Sequence, residues 1–281
     1  MFSKQPDSRL YIDKMYDMSS RFANWDPGRQ IQVGDFGKVI KETGEFRVKG
    51  NIFTHKTTKD YAAAELSVEP GAPSDTHEFV SLEAYKVAFD SGPTSGIPGL
   101  ATAALKHRIQ FTGRRGAVLV LRNPRPITLK GDIDGLPREA LRGKGLTLVV
   151  EVTQSPDYFM FLSHKSSGQL RLTLQASVPA AGVSAGGEIG AGWYHDGVTG
   201  VYKSGSQADH PKIFTPLYHL LKLDESDGPI RGFEDHGPSA VAGEECWMPA
   251  TPPWKSLDSD GEFDEEESDD SDGDELDDSE N

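Results

Sequence analysis

Apolar and polar residues alternate strictly along residues 170–178. Leucine, alanine and valine occupy the even positions, and arginine, threonine, glutamine and serine occupy the odd positions. A period of two is typical of a β-strand with one apolar and one polar face. A soluble core and the lipid side of a transmembrane barrel require the same alternation. The sequence therefore predicts a strand here and leaves the partner of its apolar face open.

Further strands are predicted along most of the first 222 residues, roughly nine or ten in all. Residues 105–111 alternate, whereas residues 117–121 and 146–152 are almost wholly apolar, which indicates strands buried on both faces. Glycine-containing stretches at 113–116 and 166–168 are interpreted as turns, the second joining a pair of strands. The alternation slips at residues 84–85, which predicts a bulge or a bend.

Helical periodicity is confined to short stretches. Residues 7–22 place apolar side chains near one face and Arg9, Lys14 and Arg21 near the other, which predicts a helix packed on the core. A helix that faces a membrane is the alternative. Residues 54–78 are predicted to form a short helix followed by a loop. The fold class is therefore α+β: a twisted, mainly antiparallel sheet with a few peripheral helices.

Charge divides the chain into two unequal parts. The net charge is −15, but residues 223–281 contain 22 acidic and two basic residues, which leaves a net charge of +5 for residues 1–222. We predict a folded domain over residues 1–222, a linker over 223–245 and a disordered acidic tail over 246–281. Trp247 and Trp254 are predicted to anchor the tail on the folded domain.

The single cysteine, Cys246, excludes an intrachain disulfide framework and is typical of a reducing compartment. The chain shows neither a secretory leader pattern nor an apolar run long enough for a spanning helix. These observations predict a protein that is synthesised soluble in the cytoplasm.

Catalytic and ligand motifs are weak. Residues 182–186 match the G-x-S-x-G nucleophile pattern around Ser184, so a serine acyl hydrolase is one alternative. However, Pro179 separates the motif from the preceding strand, and the glycines that follow would disrupt the required helix. His195, Asp196 and His210 lack metal-ligand spacing, so no metal or cofactor is predicted. Basic residues without clustered aromatics do not support nucleic-acid binding.

Four stretches, read together, resemble a known family. Their order is Gly-Leu-Thr-Leu-Val-Val-Glu-Val at 145–152, a strand pair through 165–168, Gly-Gly-Glu-Ile-Gly at 186–190 and Phe-Thr-Pro-Leu-Tyr-His-Leu at 214–220. This succession is similar to the pore-forming domain of gasdermins. It is most similar to the small fungal gasdermin-like proteins that control cell death in heterokaryon incompatibility.

The resemblance implies a pore-forming protein and not an enzyme. Two hairpins, within residues 79–121 and 146–202, would refold and assemble as a homo-oligomeric barrel in the plasma membrane or another membrane rich in acidic phospholipids. The implied lipid-binding residues are basic and near the first helix and strands: Lys14, Arg21, Lys38, Lys41, Arg114 and Arg115.

The resemblance also implies control by the short C-terminal part of the chain. A protease, of the subtilisin-like class in fungal relatives, would cut the linker, and Phe233 is the expected cleavage position. A non-catalytic binding module with a solubilising acidic tail is the remaining alternative.

Overall fold

The computed structural model describes residues 6–90, 93–94, 102–137, 141, 146–164, 167–175, 192–207, 212–223 and 247–255. These residues form two helices, α1 (Asp7–Ser19) and α2 (Lys59–Glu65), and 17 strands. In chain order the strands are β1 (Phe22–Ala23), β2 (Asp35–Val39), β3 (Phe46–Asn51), β4 (Leu66–Pro70), β5 (Thr76–Val80), β6 (Ala84–Asp90), β7 (Pro93–Thr94), β8 (Thr102–Thr112), β9 (Ala117–Arg122), β10 (Arg125–Gly131), β11 (Thr147–Ser155), β12 (Asp157–Ser163), β13 (Ser167–Gln175), β14 (Gly192–Asp196), β15 (Gly200–Ser206), β16 (Phe214–Leu223) and β17 (Trp247–Pro249).

The strands form three sheets, and every strand pair within the described residues is antiparallel. Sheet A has eight strands, with β11 and β16 at its centre. Sheet B has the order β15-β12-β9-β5, and sheet C has the order β14-β13-β8-β6, with β7 paired to β8. The predicted α+β class with a mainly antiparallel sheet is confirmed.

Sheets B and C are built from the same four chain segments. Each segment gives one strand to sheet B and one to sheet C: β5 and β6, β9 and β8, β12 and β13, β15 and β14. Backbone hydrogen bonds run across all four at one level, from Ser81 to Ala117, from Ser163 to Gly116 and from His164 to Thr199. We call this level the corner, because each segment passes there from sheet B to sheet C.

Two apolar cores lie on the two faces of sheet B. Core 1 joins sheet B to α1 and sheet A, and core 2 joins sheet B to sheet C. Along β9, the odd residues 117–121 belong to core 1 and Val118 and Val120 belong to core 2. All five residues are completely buried. The apolar run predicted to be buried on both faces is therefore confirmed, although its sheet is antiparallel.

The two stretches interpreted as turns are places where the chain passes through the corner. Beta-strands β8 and β9 belong to different sheets, and so do β12 and β13, so neither pair forms a hairpin. Strands β12 and β13, on either side of this stretch, pair with β9 and β8 and not with each other, and residues 165 and 166 lie outside the described residues. Strand β11 pairs with β16, β10 and β2 in sheet A. Among residues 146–202, the strands that belong to sheets B and C therefore begin at Asp157 and not at residue 146.

Other boundaries also differ from those predicted. Helix α1 ends at Ser19, because Ser20 adopts a left-handed conformation (φ 54°) and the chain turns into β1. Strand β4 was predicted as loop. Four of its five residues are exposed, so it lacks the alternation that marks a half-buried strand.

The opening strand pattern corresponds to β13, of which residues 167–175 are described. Leu170 and Leu172 are buried in core 2, and Arg171 between them is exposed. We expect Leu172→Ala to lower the free energy of unfolding by about 2–5 kcal/mol, because it leaves a cavity in core 2. Arg171→Ala is the matched control on the opposite face and should change it by about 0.5 kcal/mol or less. Urea unfolding measures the free energy of unfolding of both variants. An equal decrease in the two variants would contradict the assignment of Leu172 to the buried face and Arg171 to the exposed face.

Candidate functional site

Sheet C is amphipathic, and its apolar face is folded against sheet B. Ile109, Phe111, Leu170 and Leu172 form that face and pack in core 2. The side chains between them, such as Arg108 and Arg171, point away from core 2 and are exposed. In this structure, the apolar face that the alternation predicts is therefore packed against another part of the same protein.

Aromatic contacts connect the two sheets directly. The ring centroids of Phe111 and Phe161 are 5.7 Å apart. Phe159 of sheet B lies 5.8 Å from Trp193 and 5.7 Å from His195, both in sheet C. Core 2 is thus a face-to-face contact between two sheets, and mainly apolar packing holds it together.

A charged cluster interrupts this apolar contact. Glu78 of β5 contacts the Lys86 ammonium at 2.9 Å and His107 Nδ1 at 3.2 Å, and both partners belong to sheet C. Burial alone would raise the pKa of Glu78, but hydrogen bonds from His107 and Lys86 outweigh it, so the pKa lies below its ordinary value of 4.5. Glu78 is 14% exposed and Lys86 43%, so this partly buried cluster links one strand of sheet B to two strands of sheet C.

Helix α1 is attached to the corner by two ion pairs. Lys14 Nζ lies 2.9 Å from Glu83 Oε1, and the two side chains are only 7% and 16% exposed. The Arg115 guanidinium, 5% exposed, lies 2.6 Å from Asp7 Oδ1. Glu83 and Arg115 both lie in the breaks between strands at the corner. The helix therefore contacts two of the four segments where they change sheet.

A third contact joins α1 to sheet B. The Tyr11 side chain is completely buried, and its hydroxyl donates a hydrogen bond of 3.2 Å to the Val118 carbonyl. Burial raises the pKa of Tyr11 well above its ordinary value of 10.0, so this hydroxyl remains a donor.

Residues 247–255, which we call the C-terminal segment, lie on the folded domain. Strand β17 extends sheet A by pairing with the end of β16. Trp247 Nε1 donates a hydrogen bond of 3.1 Å to the Ile133 carbonyl, and the Ala250 amide donates one of 2.8 Å to the Leu220 carbonyl. The expected anchoring of the two tryptophans on the domain is confirmed.

The C-terminal segment also contacts α1. Trp254 Nε1 donates a 2.6 Å hydrogen bond to Asp13 Oδ1, and the Arg9 guanidinium lies 4.2 Å from the centroid of the Trp254 ring. The Tyr16 hydroxyl donates a 3.1 Å hydrogen bond to the Ala250 carbonyl. Helix α1 therefore contacts the C-terminal segment through one set of side chains and the corner through another.

The six predicted lipid-binding residues do not form one surface. Lys14 and Arg115 are buried in the ion pairs with Glu83 and Asp7. The others are partly or fully exposed: Arg21 lies 2.7 Å from Glu151, Lys38 and Lys41 line a cavity beside the C-terminal segment, and Arg114 is exposed at the corner. Their role in lipid binding stays a prediction.

Several residues that organise this site were not found from the sequence. Asp7, Asp13, Glu78 and Glu83 pair with side chains distant in the chain, and a single sequence carries no signal for such pairs. Phe233, the motif at 182–186 and His210 lie outside the described residues. Within the part of the chain that the structure describes, no group of three or more His, Cys, Asp or Glu residues could hold a metal ion.

His219 lies at the centre of sheet A near the Arg21–Glu151 ion pair. Burial lowers its pKa from the ordinary value of 6.5; Glu151 opposes this shift and Arg21 adds to it. We therefore treat His219 as a neutral sheet residue and not as an acid or base.

A scan against models of known protein families and a search of curated proteins find no match to this chain. No helix in the described residues combines the length and apolar character that crossing a membrane requires.

We expect Glu78→Gln to loosen sheet C from sheet B. The substitution removes the negative charge that faces His107 and the Lys86 ammonium, which weakens both contacts at a cost of about 1–3 kcal/mol. Hydrogen exchange of amides in β8 and β13 should become faster. Because the folded pKa of Glu78 is depressed, its contribution is complete above about pH 4.5 and is lost as the pH falls through the folded value.

Glu69→Gln is the matched control, since Glu69 is exposed on β4 of sheet A. Equal rates of amide hydrogen exchange in β8 and β13 for the two variants would contradict a role for Glu78 in holding sheets B and C together.

Proposed function

We propose that this chain is a membrane pore-forming effector of regulated cell death, as in the fungal gasdermin-like proteins that its sequence resembles. In the proposed resting state the protein is soluble and cytoplasmic. In the active state it binds acidic phospholipids and assembles as a homo-oligomeric transmembrane β-barrel. The observation that carries the proposal is the amphipathic sheet C, whose apolar face packs against sheet B through core 2.

The two central strands of sheet C have the length of membrane-spanning strands, whereas the described parts of β6 and β14 contain seven and five residues. Strands β8 and β13 pair with each other and contain eleven and nine residues. A tilted spanning strand requires about 9–11 residues. If sheet C left sheet B, Ile109, Phe111, Leu170 and Leu172 would face lipid and the opposite face would line a polar lumen. Sheet B is less suited to this role, because β9 and β12 are apolar on both faces.

The corner supplies the place where such a movement would occur. Sheets B and C have the same strand order, so turning at the corner would extend four strands without changing which segments are neighbours. The ion pairs of α1 with Glu83 and Arg115 act at this level and oppose the turn. Release of α1 is therefore the proposed step that permits sheet C to move.

Cleavage of the linker would weaken the hold on α1. While the chain is intact, the C-terminal segment is tethered and rebinds at a high effective concentration, on the order of millimolar for a short flexible linker. After a cut at Phe233, only non-covalent contacts retain it: those with Arg9, Asp13 and Tyr16 of α1 and its strand pairing with β16 in sheet A. The acidic tail would leave with it, and the remaining residues 1–233 contain 28 basic and 25 acidic residues, a net charge of +3. Basic residues near an anionic membrane each favour binding by about 1 kcal/mol.

Ring formation requires free edges. Within the described residues, β5 and β6 form one outer edge of sheets B and C, and β15 and β14 form the other. Unpaired edges of this kind can pair between copies, and a head-to-tail arrangement closes into a ring.

We expect dye release from vesicles to depend on cleavage and on anionic lipid. The full chain, with the recognition sequence of a specific protease placed at Phe233, is folded first and then cut. Cut protein should release dye from phosphatidylcholine vesicles that contain phosphatidylserine. Uncut protein should not, and pure phosphatidylcholine vesicles should release far less.

Ser184→Ala is the control for the hydrolase alternative and should leave dye release unchanged. The absence of release after complete cleavage, on vesicles verified as anionic, would reject pore formation and favour a binding module. An esterase activity that Ser184→Ala abolishes would favour the hydrolase.

A further inference from the structure

A cavity of about 480 Å³ lies between the C-terminal segment and one end of sheet A. Three lysines from the folded domain line it, Lys38 of β2, Lys41 in the following turn and Lys222 near the end of β16, and Thr147 lies among them at the start of β11. The C-terminal segment forms the rest of the wall through Ala250, Thr251 and Pro253. The cavity is therefore complete only while this segment is docked.

The cavity is cationic. No aspartate or glutamate is among its lining residues, and none of the ion pairs formed by the described residues includes Lys38, Lys41 or Lys222. Ammonium groups placed around one space repel each other, and a bound anion removes that repulsion. Docking of the C-terminal segment thus places three lysines around one cavity, with no carboxylate among the described residues that line it.

We propose that this cavity binds an anion that carries two or more phosphate groups and that binding favours the docked C-terminal segment. Lysine binds phosphate as a compact point charge on a flexible stem, which suits several phosphates better than one planar carboxylate. The volume of the cavity is within the range of small-molecule sites. Ala250 and Pro253 give an apolar wall against which the scaffold that carries the phosphates can pack.

Binding and docking are linked because both parts of the chain form the site. A ligand that binds only the docked form stabilises it, and docking raises the affinity for the ligand by the same factor. The inference adds a ligand of the resting state and does not depend on pore formation. Its chemistry is shared by a soluble polyphosphorylated compound and by the headgroup of a multiply phosphorylated lipid.

Isothermal titration calorimetry of the full chain with tripolyphosphate, at constant ionic strength, tests the site. The double variant Lys38→Gln and Lys222→Gln should weaken binding by at least about tenfold, since each lysine near clustered anionic groups contributes a comparable electrostatic share. Lys130→Gln is the matched control, because Lys130 is an exposed lysine on β10 outside the cavity. Equal affinity of the double variant and the control would overturn the proposal.

The linkage has its own test. Tripolyphosphate should slow hydrogen exchange of residues 247–255, where the Ala250 amide is bonded to Leu220. Trp254→Ala, which removes the contacts with Asp13 and Arg9 outside the cavity, should weaken tripolyphosphate binding. Unchanged exchange on binding, or unchanged affinity in Trp254→Ala, would overturn the linkage.

A second arm identifies the source of the phosphates. The uncut chain is mixed with vesicles that contain phosphatidylinositol bisphosphate, and in parallel with the soluble inositol phosphate of that headgroup. If vesicles capture the chain and this capture requires Lys38 and Lys222, the ligand is the lipid headgroup. If only the soluble inositol phosphate binds, and binding requires the same lysines, the ligand is a soluble compound. Binding of neither that depends on these lysines would contradict the assigned ligand class. These binding experiments use the uncut chain, so their results do not depend on whether the cut protein releases dye.

Discussion

Helix α1 is the element on which the arrangement of the other parts depends. Within two turns it carries Asp7, Arg9, Asp13 and Lys14, and all of them pair with groups from other regions of the chain. Charges removed from water are stable only when they are paired and hydrogen-bonded. A buried helix with these residues therefore has one favourable position, between the C-terminal segment and the corner.

The two cores connect different parts of the structure. Core 1 buries side chains from α1, sheet A and sheet B and is the larger of the two clusters. Core 2 contains side chains from sheets B and C only, with the charged cluster around Glu78 within it. Separating these sheets breaks one interface and leaves the hydrogen bonds within each sheet intact. In the proposed mechanism, sheet C is the part of the described structure that changes partner, and the ion pairs of α1 hold the corner at which it would turn.

The sequence predicted local structure well and long-range pairing poorly. Alternation along residues 170–175 and the apolar run at 117–121 identified strands and their buried faces, because burial acts on each residue directly. The glycine stretch at 113–116 was taken as a turn, since a hairpin and a corner between sheets use the same backbone chemistry. Only the pairing partners of β8 and β9 distinguish them, and these lie far away in the sequence.

The same limit applies to the candidate site. Basic residues near α1 were expected to face lipid, yet Lys14 and Arg115 are buried because Glu83 and Asp7 reach them from distant parts of the fold. In contrast, the tryptophans at 247 and 254 stand out in a polar tail, and composition alone indicated that they dock.

The central claim is that sheet C turns away from sheet B at the corner. Spin labels at Asp75→Cys and Tyr85→Cys, in a Cys246→Ser background, lie on both sides of the break between β5 and β6. Ten residues of continuous strand span about 33 Å. The account predicts that the distance between the labels increases towards that value when cut protein binds anionic vesicles. An unchanged distance in protein that releases dye would contradict it.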